Sequence, residues 1–217
     1  MTVGADDEQA TNAGAVGRGT LPRSLTGRKQ PDYYQRMRGR DVEIPRPLRE
    51  LHGERSTLFD LLLVYGAGAA FGVLALVFAW SRVADLPWWK SILLFIVAAD
   101  ASGGAVANFS ASTDRYYSER PGLRWAFILV HVIPPAVLYV LFGGPVAWWI
   151  LLYVYTVAAA AVVNVVQEKD RQETAAAAFL VLGIVITLPF GLRMPFLAWF
   201  APVSMIKLIL AFAVRRS

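Results

Sequence analysis

From about residue 57 onward the chain is a succession of long apolar runs separated by short polar or proline-marked breaks; before that point it is polar. The runs are roughly 18 to 27 residues long, enough for each to cross a hydrocarbon core about 30 Å thick as a helix. Spans are expected at 57–81, 88–112, 124–142, 146–167, 174–191 and 195–214. All six are read as helices, because a segment surrounded by lipid must satisfy its own backbone hydrogen bonds. Thr57 with Asp60 three residues on has the form of a helix cap opening the first span, and Pro87, Pro121, Pro145 and Pro195 punctuate the turns. The expected architecture is an all-α polytopic membrane protein: six transmembrane helices in a compact bundle over 56–217, preceded by a flexible basic tail over 1–55. The first apolar run begins only near Leu58, so the expectation is a retained N-terminus rather than a cleaved leader.

Composition agrees with the pattern. The 217 residues are 56% hydrophobic and 17% charged, with positive mean hydropathy, which excludes a disordered chain and argues against a soluble domain. A formal charge of +5 raises the question of nucleic acid, but the placement of the charge answers it. Arg115, Arg120, Arg124, Lys169, Arg171, Arg215, Arg216 and the arginines of the tail fall on one side of the predicted spans; the other side has Arg82, Lys90 and Arg193. Short basic loops stay cytoplasmic. Both termini are therefore expected in the cytoplasm of a multi-pass cell-membrane protein, with the lipid bilayer and not nucleic acid as its partner. Absence of cysteine removes disulfides and thiolate chemistry.

Chemistry concentrates in the second span. Asp100, Gly103, Gly104, Ala107 and Asn108 recur at helical spacing and share one small, polar face. An aspartate at mid-depth is costly against lipid, so it is expected to face the bundle interior, to be partnered or to be protonated. In the antiparallel third span, His131 falls in depth between Asn108 and Asp100, and Pro134 and Pro135 follow it with a bend that opens space. Asp100, His131 and Asn108 are thus the candidate catalytic set, with a packing network as the competing reading. Lys207 lies about two turns from the end of the last span. Snorkelling of its amine to the headgroups and counter-charge for Asp100 both fit.

Arg115, Arg120 and Arg124, at the mouth of the polar face, are candidates to hold an anionic headgroup or diphosphate, and Tyr155, nearer mid-depth, is a further substrate-contact candidate. Gly68, Gly72 and the alanine runs 158–161 and 175–178 are small surfaces for close helix contact, within the bundle or with a second copy or membrane partner. Only His52 and His131 are present, so no multi-histidine metal site is expected, and no cofactor. No Gly-x-Ser-x-Gly serine site exists, and the paired aspartates of CDP-alcohol phosphotransferases are missing. Three function classes stay open: an intramembrane enzyme using a buried acid on a lipid or isoprenoid substrate, a small-solute or proton-coupled transporter or channel, and a noncatalytic subunit or scaffold.

Overall fold

The computed structural model describes residues 41–84 and 87–215. The chain preceding residue 41, which holds most of the expected tail, lies outside the described residues. Six helices are long and apolar enough to cross a membrane: Leu58–Phe78, Trp88–Asn108, Pro121–Phe142, Val146–Val165, Lys169–Arg193 and Pro195–Phe212. Thr57 does cap the first, its Oγ1 accepting from the Asp60 amide (3.1 Å) and donating to the Asp60 carboxylate (2.8 Å). The second span stops at Asn108, four residues short of expectation. Ser110 there opens a separate linking helix, Ala111–Ser118, by accepting from the Thr113 amide at 3.3 Å. The third span is two helices, Pro121–Val130 and Ile133–Phe142, because Pro134 and Pro135 supply no amide protons to the turn before them.

Packing is small inside and large outside. The first span buries Val64, Gly68, Gly72 and Ala75, and the second buries Ala98, Ala101, Gly103, Gly104, Ala105 and Ala107. Phe59, Leu62, Val77, Ile92, Ile96, Val140, Val181 and Leu192 point outward. In water such a surface would aggregate; against acyl chains it costs nothing, and helix association then depends on close backbone approach. Glycine provides that approach. A Cβ on Gly68 would lie 3.1 Å from the Ala99 carbonyl oxygen, and one on Gly103 would lie 3.0 Å from that of Val64. Gly72 faces the Phe95 ring in the same interface. Gly68 and Gly72 thus face the second span.

One end of the bundle is closed by residues read from the sequence as tail. Asp41–Glu43 pairs antiparallel with Arg55–Thr57, and the turn between them contains a short helix, Arg49–His52. This hairpin is docked on the linking helix: Thr113 donates to the Leu51 carbonyl (3.0 Å), Tyr117 to that of Glu50 (2.9 Å) and Ser112 to that of Arg55. Gly53, at φ +73°, sits against the Ser112 backbone where no side chain fits. Residues 41–55, read from the sequence as part of the tail, are thus docked on the bundle, with side chains of a distant helix satisfying their backbone groups. Beside them Arg124 is buried. It donates to Asn164 Oδ1 (2.6 Å) and to the carbonyls of Phe212 (2.6 Å) and Ala213 (3.1 Å), with Asp114 at 3.6 Å. Gln172 donates to the carbonyls of Val163 (3.0 Å) and Ala213 (3.2 Å) and accepts from the Arg215 amide (2.8 Å). The starts of the third and fifth spans and the ends of the fourth and sixth are tied at one level.

Two predictions follow from this packing. Gly68→Val lowers the stability of detergent-purified protein by about 1–3 kcal/mol through overpacking, whereas Gly66→Ala, with nothing within 4 Å of the added carbon, leaves the melting temperature unchanged or raises it. Equal melting of the two variants would contradict the close contact. His52 is buried, contacts the Tyr65 hydroxyl at 3.0 Å, and is held below its ordinary value of 6.5 by burial. Its neutral form therefore favours the docked hairpin. That contribution is full above pH 6.5 and is lost as pH falls through the lower folded value. Amide exchange over 41–57 should accelerate on acidification beyond the intrinsic trend, and His52→Gln should flatten that response.

Candidate functional site

The second span brings its polar face against two neighbours at once. Gly103 meets the first span, while Asp100, Gly104 and Asn108 meet the sixth. Lys207 Nζ donates to Asp100 Oδ2 at 2.7 Å. The lysine side chain reaches this position by passing over Gly104, where a Cβ would fall 2.5 Å from Cε and 2.8 Å from Nζ. Asn108 Nδ2 donates to the Lys207 carbonyl at 3.2 Å, and its own Oδ1 is buried without a hydrogen-bond partner among the described residues. The backbone here is π-helical over Ile206–Phe212, a wider winding that is common where a helix carries a function. Of the two readings of Lys207, counter-charge to Asp100 is what the fold contains.

The pair is asymmetric. The Lys207 side chain is 5% exposed and that of Asp100 is 48% exposed. Asp100 is therefore partnered, as one of the sequence expectations had it, but is not enclosed in the bundle interior. On one side it lines a small pocket with His131, Pro134, Pro135, Thr156, Ser204 and Lys207, whose free space of about 20 Å³ holds about one water. On the other it lines a groove of about 380 Å³ with Leu51, Tyr65, Gly68, Phe95, Ile96 and Gly104. That groove is predominantly apolar.

His131 closes the first half of the broken third span, and its Nδ1 lies 2.6 Å from the Phe127 carbonyl oxygen. A carbonyl only accepts, so Nδ1 carries the proton and Nε2 is the basic nitrogen in the neutral ring. Asp100 and His131 thus share one pocket, while Asn108 stands further along the second span and acts on the lysine backbone. Chemically the cluster offers a carboxylate, an ammonium and an imidazole around a water-sized space.

The other candidates are placed differently. Tyr155 donates to the Phe179 carbonyl at 2.6 Å and ties the fourth span to the fifth. Arg124 is committed to carbonyls at the end of the sixth span, where its charge also opposes the helix dipole. Arg120 pairs with Glu54 (3.0 Å) and Glu119 (3.4 Å) and stacks on Tyr116 (4.2 Å). Arg115 is exposed and lines, with Arg120, Arg55, Glu54, Asp60 and Glu119, a polar cleft of about 440 Å³ at the hairpin end. Ser204 was missed as a pocket residue; a hydroxyl in an apolar run carries no mark of which neighbour it faces. Among the described residues, no group of His, Cys, Asp and Glu is arranged to hold a metal ion.

The fold and site together define a bundle of six helices, each able to cross a membrane, with an ion pair between the second and the sixth. No protein-family model, curated protein or solved structure matches the chain.

The coupling between Asp100 and Lys207 is measurable. Asp100→Asn and Lys207→Met each strand a partner, and each is expected to lower stability by about 2–4 kcal/mol, below the range for fully buried pairs because the carboxylate is half exposed. The double variant should be more stable than the sum of the single effects by more than about 1 kcal/mol. Additive losses in denaturant melts would remove the pair as an energetic unit.

Proposed function

We propose that the chain is an integral protein of the cell membrane, with both termini cytoplasmic, that acts on a lipid or isoprenoid substrate entering sideways from the bilayer. Asp100, Lys207 and His131 handle the proton. The observation that carries this reading is the asymmetric ion pair: a buried ammonium whose carboxylate partner is half exposed beside an apolar groove. A volume of about 380 Å³ lies within the usual range of small-molecule sites, and its apolar lining suits a hydrocarbon chain. Because Asp100 is already paired, the acid is the pair rather than an isolated carboxylic acid. Asn108 positions Lys207 through its backbone carbonyl.

The orientation rests on charge. Arg46, Arg49, Arg55, Arg115, Arg120, Lys169, Arg171 and Arg215 lie toward the hairpin end, against Arg82, Lys90 and Arg193 at the other. On this reading the polar cleft of Arg115 and Arg120 faces the cytoplasm, where it suits a headgroup or diphosphate. Glu54, Asp60 and Glu119 in the same cleft favour a headgroup with a cationic part as well.

Lipid profiling of cells with and without the protein tests the proposal. The expected outcome is a changed lipid or isoprenoid pool, restored by the wild-type chain and not by Asp100→Asn expressed at equal level. Restoration by Asp100→Asn would end the catalytic reading. Unchanged lipids with an Asp100-dependent proton or solute flux in vesicles would replace it with a carrier, and no change in either would leave a scaffold.

A further inference from the structure

The geometry points to Lys207 as a covalent carbonyl-binding residue, its Nζ forming an imine with a long-chain aldehyde whose tail occupies the groove between the first and second spans. This deepens the reading above and rests on it in one respect, that the groove accepts an apolar chain. The argument begins at Gly104. That glycine lines the groove, and the Lys207 amine lies directly behind it, close enough that even a methyl group there would collide with Cε and Nζ. The missing side chain is therefore what lets the lysine reach Asp100, and it is Asp100, 2.7 Å from the amine, that stands in the groove wall. Asp100 also lines the water-sized pocket.

Imine formation needs a neutral amine, a proton for the departing oxygen and a place for the water released. Each has a counterpart. The Lys207 ammonium passes one proton to Asp100 Oδ2 across their 2.7 Å hydrogen bond, and the amine nitrogen then forms a bond to the carbonyl carbon. The carbonyl oxygen takes the proton from the Asp100 carboxyl group, giving a carbinolamine. A second proton from the nitrogen, relayed by the same carboxylate, lets the C–O bond break and water depart. The nitrogen keeps its last proton as an iminium. One ammonium and one aldehyde give one iminium and one water, with charge conserved and no oxidant or reductant consumed. The pocket beside the pair, about 20 Å³ and bordered by His131, Thr156 and Ser204, is of the size to receive that water. Asp100 is left as the carboxylate counter-ion to the iminium, so a charge pair exists before and after reaction.

The test uses the full chain in phosphatidylcholine vesicles with hexadecanal as the probe and cyanoborohydride to reduce any iminium to a stable secondary amine, followed by peptide mass mapping. Lys29, Lys90 and Lys169 are the chain's other lysines and serve as internal references. Labelling of Lys207 is expected to exceed theirs by at least about tenfold, as positioning beside a bound tail would produce. Gly104→Val should reduce it by about as much without changing the references, and Lys207→Arg, which keeps the charge pair and the fold, should abolish the adduct. Equal labelling of all lysines, or a folded protein with Lys207 unlabelled, would overturn the inference. Cross-linking with a diazirine-bearing fatty alcohol separates the two levels. Groove labelling without a Lys207 adduct removes only the imine; loss of both removes the lipid reading as well.

Discussion

An ammonium that is 5% exposed inside an apolar bundle has to be neutralised where it stands, and the arrangement of the second and sixth spans follows from that requirement. Leaving such a charge unpaired costs several kcal/mol, so any packing of the two helices that separates Lys207 from Asp100 is strongly disfavoured. The register is set as well as the contact. Lys207 must cross at Gly104, one turn from Asp100, because a side chain at that position would occupy the space of the lysine stem. Asn108, a further turn along, takes the Lys207 carbonyl. Three positions on one face of the second span thus fix the depth, rotation and distance of the sixth.

The same helix uses the intervening glycine differently. Gly103 faces the Val64 carbonyl oxygen and lets the first span approach to backbone contact. Adjacent glycines therefore divide the helix between two neighbours, one held by close packing with a hydrogen bond from Ser102 to the Ala67 carbonyl (3.3 Å) and the other by charge. At the hairpin end the device changes again. Arg124 and Gln172 satisfy carbonyls at the end of the sixth span, including those of Phe212 and Ala213, which a helix terminus leaves without internal partners. Neutralisation at mid-depth and capping at the end hold the last span at two points, and the π-helical winding lies between them.

How much of this was legible in the chain depends on the range of the interaction. The existence of six spans follows from local hydropathy, and a bend in the third from Pro134 and Pro135, so both could be read directly; the limits could not, since the second span stops at Asn108 and the fifth starts at Lys169. The shared face of Asp100, Gly104 and Asn108 is also local, a consequence of helical period. What that face meets is not local. Lys207 satisfied the criteria for snorkelling as well as for pairing, because its distance from the span end does not say which helix lies beside it. Arg124 presented the same ambiguity: a basic residue at a span end reads as a headgroup ligand until the carbonyls of Phe212 and Ala213 are found against it. The hairpin at 41–57 was the least legible element. Its strands are three residues each, too short for a periodic signal, and its stability comes from Thr113 and Tyr117 more than fifty positions away.

The exposure difference within the ion pair bears on whether it is a structural tie alone. A pair serving only to join two helices needs the hydrogen-bonding groups of both partners satisfied wherever they are enclosed. Here the carboxylate is at the border of an apolar groove, and the ammonium, 2.7 Å from it, is enclosed. A methyl group at position 104 would fall 2.5 Å from Lys207 Cε and 2.8 Å from Nζ, so glycine is what admits the lysine stem. The sequence has glycine there, and the cost of backbone freedom that glycine brings to a helix interior is on the order of 1 kcal/mol. The glycine is thus accounted for by the ion pair it admits, and the half-exposed carboxylate is what a tie between two helices alone does not call for.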